Sequence, residues 1–375
     1  MRQRDKPRWA TCSRLSRESK VMNHVDDLLT FIEGYQAHGS AGRTPYLLDQ
    51  PLRQAILDTC QSLQKRGLAA DSEALQKINA VLANIYEYRF SLPGANAVDI
   101  DVSSLFSDVC ALLEPVILEA EIAKIPADIF DQLPTTSEAF VEWLKQYIIQ
   151  HPAGSHAFFN YLKDEASREG MKMFLAQETT LDPRFDDILA LMQVGVTGAE
   201  KMEIAKNYFD EMGNGQEDEV HTVLFSKALT ALGIDQSYID RILLPEALLC
   251  GNLSACLALS SRHHYKAIGY FGVTEFLAPR RFKKMVAGWR RLGLPEAGVE
   301  YHDLHIRVDA IHGKGWFDNA IEPAARRDPA LIKEILFGAL IRLSSSQAYL
   351  DRLLQTVTGL GYVQVVQPHV DSAVA

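Results

Sequence analysis

Three side chains able to bind a metal recur within HIRVDAIH, residues 305–312: His305, Asp309 and His312. They stand at i, i+4 and i+7. At about 100° per residue they fall within an arc of about 60°, so a helix here would present two imidazoles and a carboxylate on one face. Such a face can supply ligands to one metal or to two. The plain alternative is a polar helix face on which two histidines fall by chance. Ile306, Val308 and Ile311 between the polar residues suggest a helix packed in a core.

Further candidates lie in separate segments. Glu275 sits in AIGYFGVTEFLAP, beside Phe271, Val273, Phe276 and Leu277. A glutamate in so apolar a helix needs a metal, a proton or a cation. Arg262, Arg280 and Arg281 are the cationic alternatives. Gly269 and Gly272 would let a neighbouring helix or a ligand come close. In NYFDEMGNGQEDEVHTVLF, Glu211 ends an apolar helical stretch, Gly213, Asn214 and Gly215 break it, and His221 opens the next helix. Glu217, Asp218 and Glu219 read as solvated charges near a helix N-terminus. Glu178, in MKMFLAQETTLDPRFDDILALM, is either a ligand on an apolar face or an ordinary surface glutamate. His302 stands about 60° from His305 on the same helix, and His264 about 20° off the face of Glu275. His264 is a candidate lining of the route to the site. His302 is either a substrate contact or a helix-start histidine facing solvent.

Together these segments offer four carboxylates (Glu178, Glu211, Glu275, Asp309) and three histidines (His221, His305, His312). Hard oxygen donors mixed with imidazole, projecting inward from several helices, suit a di-iron carboxylate site. Zinc would use fewer ligands, often with cysteine, magnesium fewer histidines, and haem one or two axial ligands.

The elements that must hold these residues read almost throughout as helices. VDDLLTFIEGYQ, PLRQAILDTCQSLQKRG, EALQKINAVLANIYEYRF and SEAFVEWLKQYIIQ all show apolar residues at helical spacing. Thr136-Ser137-Glu138 and Asp182-Pro183 mark helix starts, and Gly233 and Gly293 mark ends. YVQVVQPHV is the main β-like exception. The expected fold is all-α, with residues 1–135 a helical N-terminal extension, 136–362 the domain carrying the ligands, and 363–375 a tail.

Composition narrows the function classes. The net charge of −10 argues against a nucleic-acid partner. The five cysteines, Cys12, Cys60, Cys110, Cys250 and Cys256, form no CxxC pair, which argues against a disulfide framework or structural zinc and fits a reducing, cytoplasmic setting. No secretory signal or membrane-length apolar run is seen, so no membrane partner is expected.

At H-x3-D-x2-H (His305, Asp309, His312), with Glu275 thirty residues earlier and E-x9-H at Glu211 and His221, the sequence resembles the haem-oxygenase-like di-iron oxidase and oxygenase superfamily, the iron-containing redox enzymes. FLAQET, with Glu178, resembles that family's first ligand helix. The resemblance spans roughly residues 136–360 and implies a haem-oxygenase-like helical bundle that holds two iron ions rather than haem and uses O2 as co-substrate. Glu178, His221, Glu275, His305, Asp309 and His312 would be core ligands. Glu211 matches the extra carboxylate of members that oxygenate nitrogen, and Glu211 and Glu275 are the carboxylates expected to take part in the reaction.

The resemblance further implies an amino-acid-like substrate, an external electron donor and a biosynthetic role. A substrate carboxylate calls for a guanidinium or ammonium, with Arg307, Arg262, Lys266 and Arg342 as candidates. Two other functions stay open: an oxidase that cleaves C–C bonds or decarboxylates an amino acid or aliphatic acid, and a non-catalytic metal-binding protein. The N-terminal helices are candidates for homodimerisation or for covering the pocket.

Overall fold

The computed structural model describes residues 50–92 and 103–359. Among them the chain is all-α, with no strand. The helix expected in VDDLLTFIEGYQ, the β-like YVQVVQPHV, the tail from 363 and Cys12 lie outside the described residues.

Three helices come first: α1 (Gln50–Leu68), α2 (Ser72–Arg89) and α3 (Ser103–Ile122). Asp71 starts α2 by accepting hydrogen bonds from the Glu73 and Ala74 amides, which satisfies donors the helix leaves open. Then follow α4 (Ser137–Gln150), α5 (Ala157–Asp164), α6 (Arg168–Glu178), α7 (Phe185–Met192), α8 (Gly198–Glu211), α9 (His221–Leu232), α10 (Gln236–Ile242) and α11 (Pro245–Leu259). Thr136 caps α4 through the Ala139 amide. One apolar cluster joins Ile56, Ile85 and Phe106 of the first helices to Phe140, Leu189, Phe271, Trp316 and Leu343. Residues on both sides of position 135 therefore share a core. A second cluster gathers Phe158, Phe174, Phe225, Trp289, Tyr301 and Leu353. Cys60, Cys110, Cys250 and Cys256 are buried as free thiols. No single described helix is long and apolar enough to cross a membrane.

The central element is α12 (His264–Arg291), which packs against α13 (Glu300–Gly315) and α15 (Leu331–Gly359). Small residues permit the contact: a Cβ at Gly269 would overlap the Ile335 carbonyl oxygen, and one at Gly338 that of Lys266. At Gly313 an added Cβ would lie 3.2 Å from the Glu275 carbonyl oxygen. Pro279 lies four residues after Glu275 and has no amide hydrogen to offer that carbonyl. The α13 backbone thus settles onto α12 beside Glu275. After α13 the chain winds through a π-helical turn, Trp316–Ile321, into α14 (Glu322–Arg327). Such turns often sit next to functional residues.

Two helices turn the usual pattern inside out. Ile311 of α13 is 54% exposed, while His302, His305, Asp309 and His312 are buried. The polar face of α13, not Ile311, faces the interior, which corrects the expectation from its apolar residues. On α8, Met202 and Phe209 are 69% and 53% exposed, while Glu200, Glu203, Asn207 and Glu211 are buried. Those four span an arc of about 80°. An inward stripe of this kind is retained only if every member finds a partner.

Candidate metal centre

The chain brings six of the seven candidate ligands into two buried triads. Ligand atoms of Glu211, His221 and His305 all lie within 4.8 Å of one another, and so do those of Glu275, Asp309 and His312. His305 and Asp309, one turn apart on α13, put the triads side by side. Gly213, Asn214 and Gly215, with φ of 62°, 52° and 86°, make the left-handed turn that carries the chain from Glu211 back to His221. Glu217, Asp218 and Glu219 stay in solvent.

Hydrogen bonds set which imidazole nitrogen faces each triad. His305 Nδ1 lies 2.6 Å from the Tyr301 carbonyl oxygen. That bond places the proton on Nδ1 and leaves Nε2 as the lone pair, 3.6 Å from Glu211 Oε1. His312 Nε2 lies 2.7 Å from Asp210 Oδ2, so its Nδ1 is left facing Glu275 Oε2 at 3.8 Å and Asp309 Oδ1 at 3.9 Å. His221 Nδ1 approaches Glu211 Oε2 to 2.7 Å but not along a hydrogen-bonding direction. Orienting a ligand imidazole through its other nitrogen is how proteins prepare metal sites.

Donor atoms without partners test the fit to a metal. His221 Nδ1, His312 Nδ1 and Glu275 Oε2 are buried with no hydrogen bond. Buried polar atoms are rarely left so; others occur among the described residues, at Asp182 and His302 for example, and these three belong to the triads. Glu275 Oε1 accepts from Asn207 Nδ2 at 3.0 Å, and Arg262, Arg280 and Arg281 form no ion pair with it. Three imidazoles and three carboxylates suit iron.

The electrostatics agree with a site built for cations. Burial pushes the Asp309 carboxyl well above the usual range, and the charges of Glu275, Glu211 and Asp182 add to this against the pull of His305. Burial likewise raises Glu275, with His312 and Asn207 opposing. Burial alone would raise Glu211, but His221 and His305 bring it down to about 2. His305 is disfavoured as a cation by burial, yet Asp309 and Glu211 carry it up to about 10. Protons thus take the place a divalent cation would fill.

The other sequence candidates fall elsewhere. Glu178 belongs to neither triad: it accepts from the Tyr349 hydroxyl at 2.9 Å, and Arg281 and Arg342 act on its charge. His264 is engaged by Glu200 at 2.5 Å. Arg307 is exposed. His302 is fully buried among Phe282, Tyr301 and Phe225 rather than facing solvent, with neither ring nitrogen hydrogen-bonded; burial, with His305 beside it, lowers it to about 3.

Three participants were not singled out in the sequence: Asn207, Asp210 and Asp182. The first two lie within one turn of Glu211 and were lost among ordinary helix polarity. Asp182 opens the turn before α7. It is buried, its Oδ2 has no partner, and it interacts electrostatically with Glu178, His305 and Glu211. An acidic residue just before a proline reads simply as a helix start.

Two cavities border the centre. An outer cleft of about 520 Å³ reaches Asp309 between Phe276, Arg280, Lys283 and Lys314. An inner one is lined by Glu178, Asp182, Arg281, Phe282, Arg342 and Tyr349, among others.

No curated protein matches the chain. A solved structure described as a domain of unknown function with a heme oxygenase-like fold, from Shewanella denitrificans OS217, shares 13% identity with a TM-score of 0.46, over 61% of this chain and 94% of that one. The family model described as iron-containing redox enzyme matches residues 172–347. That segment contains both triads, Asp182, Asn207 and Asp210.

Proposed function

We propose that the protein is a non-haem di-iron oxygenase that uses O2 to hydroxylate the nitrogen of an amino-acid-derived small molecule. The observation that carries this reading is the pair of adjacent buried triads, with His305 and Asp309 of one helix contributing to each. Iron held there would supply the redox chemistry that activates dioxygen. Oxygenation of an amine puts one oxygen atom into an N–O bond and releases the other as water. It consumes two electrons and two protons, so an external donor is required.

The remaining work falls to the chain. Asp210 and the Tyr301 carbonyl fix two imidazoles, and Asn207 holds Glu275. Phe282 and Tyr301 stand against His305, with ring centroids 5.8 Å and 4.2 Å away, and keep water from that side. Glu211, kept ionised by its histidines, is the extra carboxylate that favours nitrogen oxygenation over C–C cleavage. The cleft at Asp309 gives the centre its contact with solvent.

The test is anaerobic loading with Fe(II), exposure to isotopically labelled dioxygen with a panel of amino-acid-like amines and a reductant, and mass spectrometry. Label in an N–O bond is the expected result. An unlabelled alkene or aldehyde would assign the protein to decarboxylation or C–C cleavage instead. Oxygen consumption that no substrate accelerates would mark it as a metal-binding protein without turnover.

A further inference from the structure

The outer cleft reaches a member of the triads from the surface, and its rim is basic. Buried Asp309 lines it together with Phe276, while Lys145 of α4, Arg280 and Lys283 of α12 and Lys314 of α13 surround it. Asp318 pairs with Lys314 and lies 4.0 Å from Lys145. Arg280 stands over the Phe276 ring at 5.2 Å, and Lys283 is exposed. Neither forms an ion pair among the described residues. Arg307 is exposed and likewise without an ion pair among them. It extends the rim along α13, where Ile306, Ala310, Lys314 and Arg307 fall within about 100°.

The chain as a whole carries a net charge of −10. The cations of this rim run against that average, and they gather where a ligand of the proposed centre meets solvent. Their chemistry suits attraction at a distance more than a fixed grip. A lysine ammonium is a hydrated point charge on a flexible stem, and an assembly of such charges steers an oppositely charged partner to the surface. They come from three helices around a cleft of about 520 Å³. An acidic protein surface answers them together, whereas a small anion pairs with one or two. Apolar side chains complete the face: Ala310 is exposed, and Ile311 is 54% exposed. An apolar patch beside a polar, charged rim is the ordinary anatomy of a protein–protein contact.

The reaction says what such a partner would bring. The oxygenation proposed above consumes two electrons from outside. The described cysteines are poor donors, since Cys60, Cys110, Cys250 and Cys256 are buried and burial raises all four thiols. Each iron ion changes by one electron, so the matching carrier passes electrons singly. An iron–sulfur cluster does so, whereas a nicotinamide passes a hydride.

We propose that Lys145, Arg280, Lys283, Arg307 and Lys314 dock a small acidic iron–sulfur protein, which delivers electrons to the metal centre past Asp309. In each encounter the carrier's cluster is oxidised by one electron and one ferric ion is reduced to ferrous. Two encounters supply the two electrons of one turnover, and no bond in either protein breaks. This names the partner of the oxygenase proposed above and rests on that reading. Docking and electron transfer are measured apart from turnover.

The test uses the full-length, iron-loaded protein without substrate or oxygen. The probes are a plant-type acidic [2Fe–2S] ferredoxin, an acidic flavin carrier protein and a basic cytochrome. Calorimetry measures binding, and stopped-flow spectroscopy follows reduction of the oxidised centre. The ferredoxin is expected to bind and to reduce the centre at a rate that falls as salt rises. Arg280→Glu combined with Lys283→Glu should slow that reduction about 10-fold or more at low salt, with iron content unchanged. Both positions are exposed, so the fold is not at stake. Lys65→Glu, at an exposed position of α1, should change nothing. Reduced methyl viologen, a small cation, should reduce the unaltered and the charge-reversed protein alike, which separates docking from damage to the centre. A rate indifferent to salt and charge reversal, an equal loss with Lys65→Glu, no ferredoxin binding, or faster reduction by the flavin protein or the cytochrome overturns the proposal. Charge-dependent reduction by ferredoxin with no oxygenated product would retain this surface and remove only the oxygenase reading.

Discussion

His312 Nε2 and Asp210 Oδ2 lie 2.7 Å apart, and this bond decides which nitrogen of His312 faces Glu275 and Asp309. An imidazole held by a carboxylate keeps one tautomer and is a more basic ligand. Asp210→Ala is therefore expected to weaken metal binding by about 10- to 100-fold while leaving the fold intact. Competition with a chelator of known affinity measures the loss, and circular dichroism checks the helix content. Unchanged affinity would show that His312 is not a ligand.

Stability of the metal-free protein should depend on pH in a definite sense. Burial holds Glu178, Asp182, Glu275 and Asp309 above the ordinary carboxyl range. The folded chain thus keeps protons that the unfolded chain releases above about pH 4. Their contribution falls as pH rises from there through the raised values. Glu211, lowered to about 2, adds stability that is present above the unfolded carboxyl value and is lost as pH falls through 2. His305, raised to about 10, adds stability that is complete below its unfolded value of 6.5 and is lost as pH climbs through 10. His302, lowered to about 3, adds stability that grows as pH rises to its unfolded value of 6.5, so the net expectation is a declining Tm without metal between about pH 6.5 and 8. Metal replaces the protons, so the Tm gain on adding Fe(II) anaerobically should grow with pH. A gain independent of pH would contradict the protonated-carboxylate account.

Gly269→Ala separates packing from ligation. Its Cβ would strike the Ile335 carbonyl, a backbone atom that cannot swing aside, so the α12–α15 contact must open. The expected cost is about 1–3 kcal/mol in urea unfolding. Affinity for metal should change little, because no triad member sits on α15.

His302 offers a contrary case, in which removing a polar group should help. Both of its nitrogens are buried without partners, and burying such groups costs stability. His302→Leu is expected to leave Tm equal or higher. A loss beyond about 1 kcal/mol would show that the nitrogens find partners in solution, water or substrate included.

The sequence carried some of this site openly and hid the rest. His305, Asp309 and His312 were legible because one helix fixes their directions, and Glu275 because its neighbours are apolar. Glu211 and His221 were legible through the Gly-Asn-Gly break between their helices. Glu178 stands outside both triads, with Tyr349, Arg281 and Arg342 as its partners, while Asp182 interacts electrostatically with His305. Local periodicity cannot separate the two, because what differs is which of them α9 and α13 pack against. The same limit hid Asn207 and Asp210. A polar residue on a helix reads as surface until tertiary structure shows it inside, and α8 reverses the rule at Glu200, Glu203, Asn207 and Glu211 while Ile204 still faces the core.

That reversal makes α8 the element most easily parted from the rest. A helix that turns Glu200, Glu203, Asn207 and Glu211 inward and leaves Met202 and Phe209 outside, with Ile204 and part of Tyr208 as its apolar anchors, gains less from the hydrophobic effect when it docks than an ordinary amphipathic helix. Swinging it out would wet carboxylates rather than oily surface, so iron itself would be its main fastening. The protein would then take up its metal through a door that the metal closes. Amide hydrogen exchange along α8 should be fast in the chelated protein and slow sharply on loading, while exchange in α12 and α15 stays slow in both. Equal protection of α8 in the two states would rule out such a door.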